Sequence, residues 1–368
     1  MSKWNLVSLK DIVNNLDNKR VPLNSSQRQL KESKPLYPYI GANNIMGYID
    51  EYIFDEKILC VAEDGGSWGY NQRCAVLYNE KVWVNNHAHV ITAKDNLILE
   101  YLMYYLNHTD LNLYINGATR GKLTKSSLES IQVPLPPLPQ QQKIANILDA
   151  ADALRQNDKA LISKYDELTQ ALFLDMFGDY LNGKLYPLKD LVRFSQGLQF
   201  GVEEQLLEPK EGYARFLRIV DFTQGEDLRF VPNNSKNYYV SKEDIVIVRY
   251  GASAGFVGTN KEGVLANNLF KVNYDKQMYN QAFLYFIFQN DRFKKFVKKE
   301  AFGAAMPALS FKVMERFEIP VPPIHLQNQF AERVAVIEEQ KAIAQKSLEK
   351  SEELFNSLLQ RAFKGELN

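Results

Sequence analysis

Three short stretches place residue types that bind phosphates or metals close together. Residues 117–124 (GATRGKLT) resemble a phosphate-binding loop, but the loop is one residue short and Leu123 stands where a magnesium-binding hydroxyl is required. Residues 251–258 (GASAGFVG) have the wrong glycine spacing for a dinucleotide-binding fingerprint. His87 and His89 alternate on a predicted strand and would share one face, but the sequence near them offers no third metal ligand. We therefore predict neither a nucleotide site nor a metal site.

The sequence also lacks the residue sets of common catalytic sites. It has no Asn-Pro-Pro-aromatic tetrad of an amino-methyltransferase, no nuclease carboxylate cluster and no Ser/His/Asp set. The 368 residues include 44 basic and 44 acidic ones, a balance that by itself does not decide for or against a nucleic-acid partner. No apolar stretch of about 18–20 residues occurs, and the two cysteines, Cys60 and Cys74, fit a reducing compartment. We expect a non-catalytic, cytoplasmic chain with no membrane association, no metal and no cofactor of its own.

Polar turns interleaved with aromatic residues recur in both halves of the chain. Their Asn, Arg, Lys and Ser side chains can hydrogen-bond base edges, and their glycines let the backbone approach phosphates. Ordinary turn chemistry is the better explanation of any single residue, but recurrence at matching places favours a binding surface for the set as a whole. The candidate DNA contacts are Asn43, Asn44, Ser67, Trp68, Asn85, Asn86, His87, Arg120 and Lys122, followed by Arg218, Asp221, Arg249, Tyr250, Ser253, Asn267 and Asn268.

Residues 117–177 and 303–363 are two copies of one segment, 186 positions apart and aligned without a gap. Matching pairs include Gly117/Gly303, Leu123/Leu309, Pro134/Pro320, Gln141/Gln327 and Phe177/Phe363. The regions before them overlay with gaps, and this alignment places 9–13 on 188–192, 85–86 on 267–268, and 101–102 on 283–284. A repeat of this length predicts two copies of one structural unit.

The repeat divides the chain into four segments. Residues 1–138 and 179–324 are rich in β-branched and aromatic residues broken by Gly, Asn and Asp, which indicates short strands and turns with some helix. Each ends in a proline tract, 133–139 (VPLPPLP) or 319–324 (IPVPPI), which we predict to be a stiff, extended hinge. Residues 139–178 and 325–368 then show helical patterns, which begin at Gln140 and Leu326 and predict helices of about 38 residues each.

Both helical segments repeat apolar residues every seven positions. In the first, one heptad row is Ile144, Ala151, Tyr165 and Leu172, with Asp158 as the polar exception, and another is Ile147, Leu154, Leu161 and Leu168. In the second, the rows are Phe330, Ile337, Ala344 and Leu358, and Val334, Leu348 and Phe355. Such rows indicate coiled-coil packing, and Gly178 and Gly365 are placed to end the helices. We predict an α+β fold: two similar α/β domains with short twisted sheets, separated by two long helices that pair as an antiparallel coiled coil with pseudo-two-fold symmetry.

Taken together, these features resemble the specificity subunits of type I restriction–modification systems. The resemblance is carried by residues 131–144 (IQVPLPPLPQQQKI) and 317–330 (FEIPVPPIHLQNQF), supported by 117–123 and 303–309 and by the Leu-Lys-Asp starts of both halves. The family often has Glu-Gln after the prolines, where this chain has Gln-Gln and Leu-Gln. The resemblance implies a target-recognition domain at 1–138, a central helix at 139–178, a second recognition domain at 179–324 and a C-terminal helix at 325–368.

The resemblance further implies a non-catalytic DNA-binding subunit whose two recognition domains each read one half of a bipartite site in double-stranded DNA. Two modification subunits would bring S-adenosylmethionine and methylate adenine, and two restriction subunits would add Mg²⁺- and ATP-dependent translocation and cleavage. The helices would set the spacer between half-sites and dock the modification subunits. The candidate docking residues are Gln141, Ile144, Leu148, Gln327, Phe330 and Val334.

Two other functions fit parts of the pattern. A coiled-coil adaptor with two protein-binding domains and no role on DNA would show the same repeat and helices, and a gel-shift assay with the purified complex would separate it from a DNA-binding subunit. A fragment of a single-chain restriction–methylation enzyme would require a catalytic domain that this sequence lacks.

Overall fold

A computed structural model of the protein describes residues 4–32, 34, 36–117, 121–223, 225, 227–233, 238–301 and 307–367. The chain forms two compact units: the first comprises residues 1–160 and 345–368, and the second comprises residues 161–344. Each of the two long helices therefore contributes to both units. Within the described ranges, no helix is long and apolar enough to cross a membrane.

The first unit is built from short strands and helices followed by a long helix. In chain order these are β1 (Leu6–Ser8), α1 (Leu9–Ile12), β2 (Val13–Asn15), α2 (Ser25–Leu30), β3 (Tyr37–Ile40), β4 (Ile45–Ile49), β5 (Ile58–Ala62), β6 (Ala75–Tyr78), β7 (Trp83–Val84), β8 (Ala88–Ala93), α3 (Leu99–His108), β9 (Ile115–Asn116), β10 (Lys122–Leu123), α4 (Lys125–Ser130), β11 (Gln132–Pro134) and α5 (Leu138–Asn182).

The central sheet of the first unit is antiparallel, with strand order β2-β8-β5-β6. A second sheet has the order β4-β3-β7, in which β3 and β7 are parallel. Strand β5 is buried on both faces, because Leu59 and Val61 pack into the cluster that includes α3, whereas Ile58 and Cys60 pack into a separate cluster. Alternate side chains of a strand point to opposite faces, so a continuous apolar run such as ILCVA suits this central position.

The second unit repeats this plan. Its further elements are β12 (Tyr186–Pro187), α6 (Leu188–Leu191), β13 (Val192–Gln196), β14 (Tyr213–Leu217), α7 (Ile219–Thr223), β15 (Phe230–Pro232), β16 (Tyr239–Val240), β17 (Ile245–Val248), β18 (Val257–Gly258), β19 (Gly263–Leu265), β20 (Leu269–Tyr274), α8 (Gln281–Gln289), α9 (Asp291–Ala301), α10 (Phe311–Met314), β21 (Glu318–Ile319) and α11 (Ile324–Lys364).

The sheets of the second unit match those of the first, except that the sheet containing β14 has one further strand, β16. The antiparallel sheet has the order β13-β20-β17-β18, and the other sheet has the order β15-β14-β19-β16 with β14 and β19 parallel. Strand β17 is buried on both faces like β5, with Ile245 and Ile247 in one cluster and Val246 and Val248 in another. The predicted duplication of an α/β domain is confirmed.

In the first unit, the start of α5 packs antiparallel against the end of α11. Asp158, the predicted polar exception in the seam, is buried and accepts hydrogen bonds from Ser347 Oγ (3.1 Å) and Ser351 Oγ (2.8 Å). The ring of Phe363, near the end of α11, lies 5.6 Å from the ring of Tyr101 on α3. The chain's last helical segment thus completes the core of its first unit.

In the second unit, the rest of α5 packs against the start of α11, again antiparallel. Asp166 of α5 forms an ion pair with Lys341 of α11. The Phe177 ring lies 5.4 Å from the ring of Phe330 and 4.7 Å from that of Phe283 on α8. Antiparallel helix pairing, as predicted, is therefore present within each unit.

The helices are longer than predicted, with 45 residues in α5 and 41 in α11. Gly178 was predicted to end α5, but the helix continues to Asn182. That prediction was wrong because a glycine inside a helix lowers its stability without blocking it. Gly365 does end α11: its φ is 78°, and Glu366 N donates to Arg361 O (2.8 Å), a hydrogen bond of the Schellman motif.

One of the two predicted heptad rows on α5 is misplaced. The row that includes Ile144 and Ala151 is buried at Ile144, Ala151 and Asp158 and half-buried at Tyr165 and Leu172. The second buried row lies one residue later than predicted, at positions such as Leu148 and Thr169. Three leucines of the predicted row are exposed instead: Leu154 (45%), Leu161 (41%) and Leu168 (50%). Apolar residues stand on adjacent rows here, so spacing alone did not identify the seam.

The proline tracts are extended, but they are not hinges. The first tract begins as β11, which pairs with β1, and the second begins as β21, which pairs with β12. Behind the first tract, the buried Gln141 amide accepts a hydrogen bond from Ile98 N (2.9 Å) and donates to Asn96 O (2.9 Å) and Pro136 O (2.8 Å). These bonds hold the tract to the backbone that precedes α3.

The second unit contains the same arrangement. Gln327 accepts from Asn280 N (2.9 Å) and donates to Met278 O (3.0 Å) and Pro322 O (2.8 Å). Both glutamine side chains are fully buried. A primary amide supplies an acceptor and two donors, which is the set that these three backbone groups require.

Candidate nucleic-acid interface

Three segments of the first unit meet at the edge of the central sheet where β5 ends and β8 begins. Glu63 N donates to His87 O (2.9 Å), and Glu63 O accepts from Leu123 N (2.8 Å). Asp64 and Lys122 form an isolated bridge next to these bonds. The polar turns after β5 and between β7 and β8 are therefore joined to the segment at Lys122.

The corresponding segments of the second unit meet in the same way. Arg249 N donates to Asn268 O (2.9 Å), and Arg249 O accepts from Leu309 N (2.9 Å). Tyr250 and Ala308 form the matching bridge. These backbone bonds place Arg249 where the first unit has Glu63.

Two further backbone bonds correct one predicted alignment. Asn85 N donates to Ile40 O (3.1 Å) and Ala266 N donates to Leu217 O (2.9 Å), so Asn85 corresponds to Ala266. Asn86 then corresponds to Asn267, and His87 to Asn268. The alignment of 85–86 on 267–268 was one residue out of register, because it matched both asparagines by identity, whereas the backbone bonds align only Asn86 with an asparagine.

Charged side chains fill this edge in the first unit. Glu63 accepts from Arg20 Nη1 (2.6 Å) and pairs with Lys122 Nζ (3.0 Å). Burial raises the pKa of Glu63, but the hydrogen bonds from Arg20 and Lys122 outweigh burial and hold the pKa below its usual value. Burial likewise raises the pKa of Asp17, while the hydrogen bond and charge of His89 bring the net pKa below normal.

The two histidines belong to this cluster and do not share a strand face. His87 precedes β8, and its Nδ1 lies 2.8 Å from Asp64 Oδ1. His89 is buried in β8 with Nδ1 2.7 Å from Asp17 Oδ2 and Nε2 2.7 Å from Leu123 O. Both ring nitrogens of His89 therefore serve the packing of the sheet edge.

Uncharged amides and an aromatic cluster fill the same edge in the second unit. Gln196 Oε1 accepts from Arg249 Nη1 (2.7 Å), and Gln196 Nε2 donates to Asn267 O (3.0 Å). Asn267 Nδ2 donates to Gln199 Oε1 (2.9 Å). The ladder pairs Val61/His89 and Ile247/Phe270 extend the equivalence between the units. The equivalent positions are Glu63 and Arg249, Asp17 and Gln196, His89 and Phe270, and Lys122 and Ala308.

A second polar cluster follows β14. The buried carboxylate of Asp221 accepts from Arg218 N (2.9 Å) and from Arg215 Nη2 (3.0 Å). Arg218 Nη2 lies 2.8 Å from Asp227 Oδ2, and Arg229 Nε lies 3.4 Å from Asp227 Oδ1. Asp221 thus holds the start of α7 and orients two arginines.

Three predicted DNA contacts are buried: Trp68 (7% exposed), Asn85 (3%) and Asp221 (2%). Trp68 Nε1 donates to Ala62 O (3.1 Å), and Asn85 Oδ1 accepts from His87 N (2.8 Å). These buried side chains hydrogen-bond the backbone of their own loops. We therefore assign them a role in holding the loop conformation and not in contacting bases. Arg120 lies outside the described residues.

The other predicted contacts retain accessible surface: Asn43, Asn44, Ser67, Asn86, His87 and Lys122 in the first unit, and Arg218, Arg249, Tyr250, Ser253, Asn267 and Asn268 in the second. The structure brings His87 and Lys122 to the Glu63 edge, and Arg249, Tyr250, Asn267 and Asn268 to the equivalent edge. Their contact with DNA remains a prediction.

Sequence reasoning missed Arg20, Asp17 and Gln196. A signal was present, because Asp17 and Gln196 follow Leu9 and Leu188 of the repeated Leu-Lys-Asp starts by the same number of residues. Arg20 carried no such signal. It reaches Glu63 and Ala88 O (2.7 Å) only through the tertiary fold.

The predicted docking residues have no surface to offer a partner. Their side chains are all buried within their own units: Gln141, Ile144, Leu148, Gln327, Phe330 and Val334. Exposed apolar residues on the two long helices include Leu154 (45%) and Leu354 (47%) in the first unit, and Leu161 (41%), Leu168 (50%), Val336 (59%) and Ile343 (56%) in the second. We call these six residues the exposed helix row.

Comparison with known proteins adds a family and a fold. The family model described as type I restriction modification DNA specificity domain matches residues 1–164 and 184–353. A putative type I restriction enzyme specificity subunit of Haemophilus influenzae is 38% identical over 148 residues, which cover 40% of this chain and 37% of that protein. A type I restriction enzyme specificity subunit of Methanocaldococcus jannaschii is 24% identical over 312 residues, covering 75% of this chain and 71% of that protein.

The first matches span about a third of the curated relatives' length, with 37%, 32% and 30% covered. Among solved structures, the S subunit of a type I restriction–modification system from M. genitalium has a TM-score of 0.66 at 17% identity, covering 98% of this chain and 96% of that one. This likeness shows that the two chains share a fold over nearly their whole length.

Proposed function

Because the chain belongs to the family of type I restriction–modification DNA specificity proteins, we propose that each of its two units reads one half of a bipartite DNA sequence. One observation carries the proposal: the duplicated backbone presents the same loop edge in both units, while the side chains there differ in chemistry. Glu63 stands on one edge and Arg249 on the other. Equivalent scaffolds with different polar groups suit a protein that recognises two unlike half-sites.

In this proposal the chain supplies recognition and no catalysis. Methyl transfer from S-adenosylmethionine to adenine belongs to two modification subunits, and Mg²⁺- and ATP-dependent translocation and cleavage belong to two restriction subunits. Among the candidate contacts, the accessible cations Lys122, Arg218 and Arg249 would supply phosphate and base contacts.

The exposed helix row is our candidate for docking the modification subunits. Its members lie on the long helices, and each is at least 41% exposed although apolar. A partner's apolar surface would remove this area from water, at about 25 cal/mol per Å². Leu161→Asp with Leu168→Asp should weaken assembly with the modification subunit without lowering the melting temperature of the free chain. Gln156→Asp, an exposed polar position on the same helix, serves as the matched control. Unchanged assembly would contradict this assignment.

We further propose that the long helices set the spacer between the half-sites. Inserting one heptad into each helix adds about 10 Å of helix, which corresponds to about three base pairs. The methylated motif should then keep both half-sites and lengthen only its spacer. An unmoved spacer in a complex that still methylates would refute the role of the helices.

Single-molecule sequencing of adenine methylation tests the function directly. Cells that carry the modification subunit should show a bipartite methylated motif only when this chain is present. A gel shift with the purified complex should show a preference for that motif over scrambled DNA. Methylation that does not depend on the chain, or a complex that binds no DNA, would instead favour an adaptor role.

A further inference from the structure

Both the backbone and the side chain of Arg249 are held by contacts within the second unit. Its backbone is pinned on both sides, because its N donates to Asn268 O and its O accepts from Leu309 N, each at 2.9 Å. The guanidinium carbon lies 4.7 Å from the centre of the Tyr250 ring and 5.6 Å from that of Phe311. Two aromatic rings therefore restrict the plane of the cation.

The rings are themselves supported by the core. Phe311 stacks on Phe194 with ring centres 5.7 Å apart, and it meets Phe270 edge-on at 5.4 Å. Phe270 is fully buried in β20. The aromatic surface beneath Arg249 is thus continuous with the interior of the second unit.

Gln196 fixes the guanidinium in its plane. Its Oε1 accepts from Arg249 Nη1 at 2.7 Å, while its Nε2 donates to Asn267 O at 3.0 Å. Because a carbonyl can only accept, the Asn267 contact determines which end of the amide faces the arginine. The amide oxygen must then point at Arg249.

We propose that Arg249 is a preorganised fork that reads a guanine in the half-site of the second unit, and that Gln196 is its positioning residue. This inference rests on the proposed DNA-reading function and deepens it. A planar guanidinium donates two parallel hydrogen bonds, which match the O6 and N7 acceptors of guanine in the major groove. The bond to Gln196 occupies one of five N–H donors and the Nε–H is buried, which leaves three donors on Nη1 and Nη2 for a bidentate contact.

The first unit supplies an internal control. The equivalent residue there is Glu63, whose carboxylate pairs with Arg20 and Lys122. A carboxylate held by two cations cannot present two donors to guanine. The effect of changing Arg249 or Gln196 should therefore be confined to one half of the methylated motif.

The decisive variant is Arg249→Lys in the assembled complex. Lysine keeps the positive charge but loses the fork, so a phosphate contact would survive the change and a bidentate guanine contact would not. We expect discrimination at one guanine position to fall by about 5- to 150-fold, with the salt dependence of binding unchanged. Arg292→Lys, on α9 of the same unit, is the matched control and should leave every position unchanged.

Gln196→Ala tests the positioning role. It should relax discrimination at the same guanine, and it should add little in the Arg249→Lys background, because both changes remove one interaction. The readouts are competition binding with DNA substituted at each position and sequencing of the methylated motif. A purely structural role for Gln196 would lower stability and affinity alike without selecting one base.

The outcomes separate the inference from the function on which it rests. Wild-type complex with no sequence preference in either half would refute the proposed function. Specific wild-type binding with full discrimination in Arg249→Lys, or a motif half insensitive to both variants, would refute the guanine assignment alone. Uniformly weaker binding of Arg249→Ala to all sequences, with a salt slope reduced by about one, would identify a phosphate contact instead.

Discussion

Replacing Gln141 with leucine should destabilise the first unit strongly, although the two side chains have similar size. The change leaves Ile98 N, Asn96 O and Pro136 O without their partner in a fully buried site. Each unsatisfied buried group costs about 1–3 kcal/mol, and we expect a total of about 3–5 kcal/mol. The exposed neighbour is the control: Gln142→Leu removes one bond to Asn146 and should cost about 0.5 kcal/mol or less.

The chain carries its own probe for this measurement. Its three tryptophans, at positions 4, 68 and 83, all lie in the first unit. Urea unfolding followed by tryptophan fluorescence should show the loss for Gln141→Leu. The equivalent change Gln327→Leu should act mainly on the second unit. Because that unit contains no tryptophan, its unfolding is followed by circular dichroism.

A charged variant at the same position tests whether the site requires an amide. In Gln141→Glu the introduced carboxylate faces two carbonyl oxygens, which raises its folded pKa above the unfolded value of about 4.3. Its destabilisation should therefore be largest at neutral pH and shrink as pH falls through the raised pKa, when one oxygen becomes a donor. A loss below 1 kcal/mol for the leucine variant, or a pH-independent deficit for the glutamate variant, would refute the amide's role. Weakened subunit assembly with unchanged stability would restore Gln141 as a docking residue.

Three further predictions concern single residues. Burial raises the pKa of Cys74 to about 12 and also raises that of Cys60. Neither thiol should therefore react with iodoacetamide at pH 8 until the chain unfolds. Rapid labelling of the native protein would contradict this prediction. Because the pKa of Asp17 is depressed, its contribution is present above about pH 4 and lost as pH falls through the folded value. Asp17→Asn should thus lower the free energy of unfolding by about 2–4 kcal/mol at pH 7 and by less at pH 3. A difference in urea midpoint between wild type and variant that stays constant with pH would contradict this prediction. Gly178→Ala should stabilise the protein by about 0.5–1 kcal/mol, because the added Cβ meets open space. Gly365→Ala should destabilise it by about 1 kcal/mol, because φ is 78° at that position. Equal melting temperatures of the two variants and the wild type would contradict both predictions.

The parts of the fold that were predictable are those in which sequence and local geometry agree. The gap-free repeat predicted that Gln141 and Gln327 occupy equivalent places, and both bury the same three hydrogen bonds. The Leu-Lys-Asp starts predicted that residues 9–13 and 188–192 are equivalent, and the short helices α1 and α6 occupy those positions. Local propensity and the repeat pointed to the same answer, which is why these predictions held.

The errors arose where residue identity or spacing favoured one frame and the tertiary contacts formed in the adjacent frame. Asn85 could be aligned with Asn267 or with Ala266, and only the hydrogen bond from Ala266 N to Leu217 O decided between them. Ile147 and Leu148 stand on adjacent rows of α5, and only Leu148 is fully buried, whereas Leu154 of the predicted row is exposed. Shifting a segment by one residue changes neither its composition nor the period of its apolar residues. Tertiary contacts therefore decide which frame is adopted.

By itself, the sequence determined the duplication, the antiparallel long helices, the absence of familiar catalytic sets, and the family to which the chain belongs. These properties depend on the order and spacing of residues along the chain. Only the tertiary structure decided which polar residues share an edge: it paired Glu63 with Arg20 and Lys122, and Arg249 with Gln196. Those residues are far apart in sequence and meet because neighbouring strands end together, and no pattern along one chain encodes that distance.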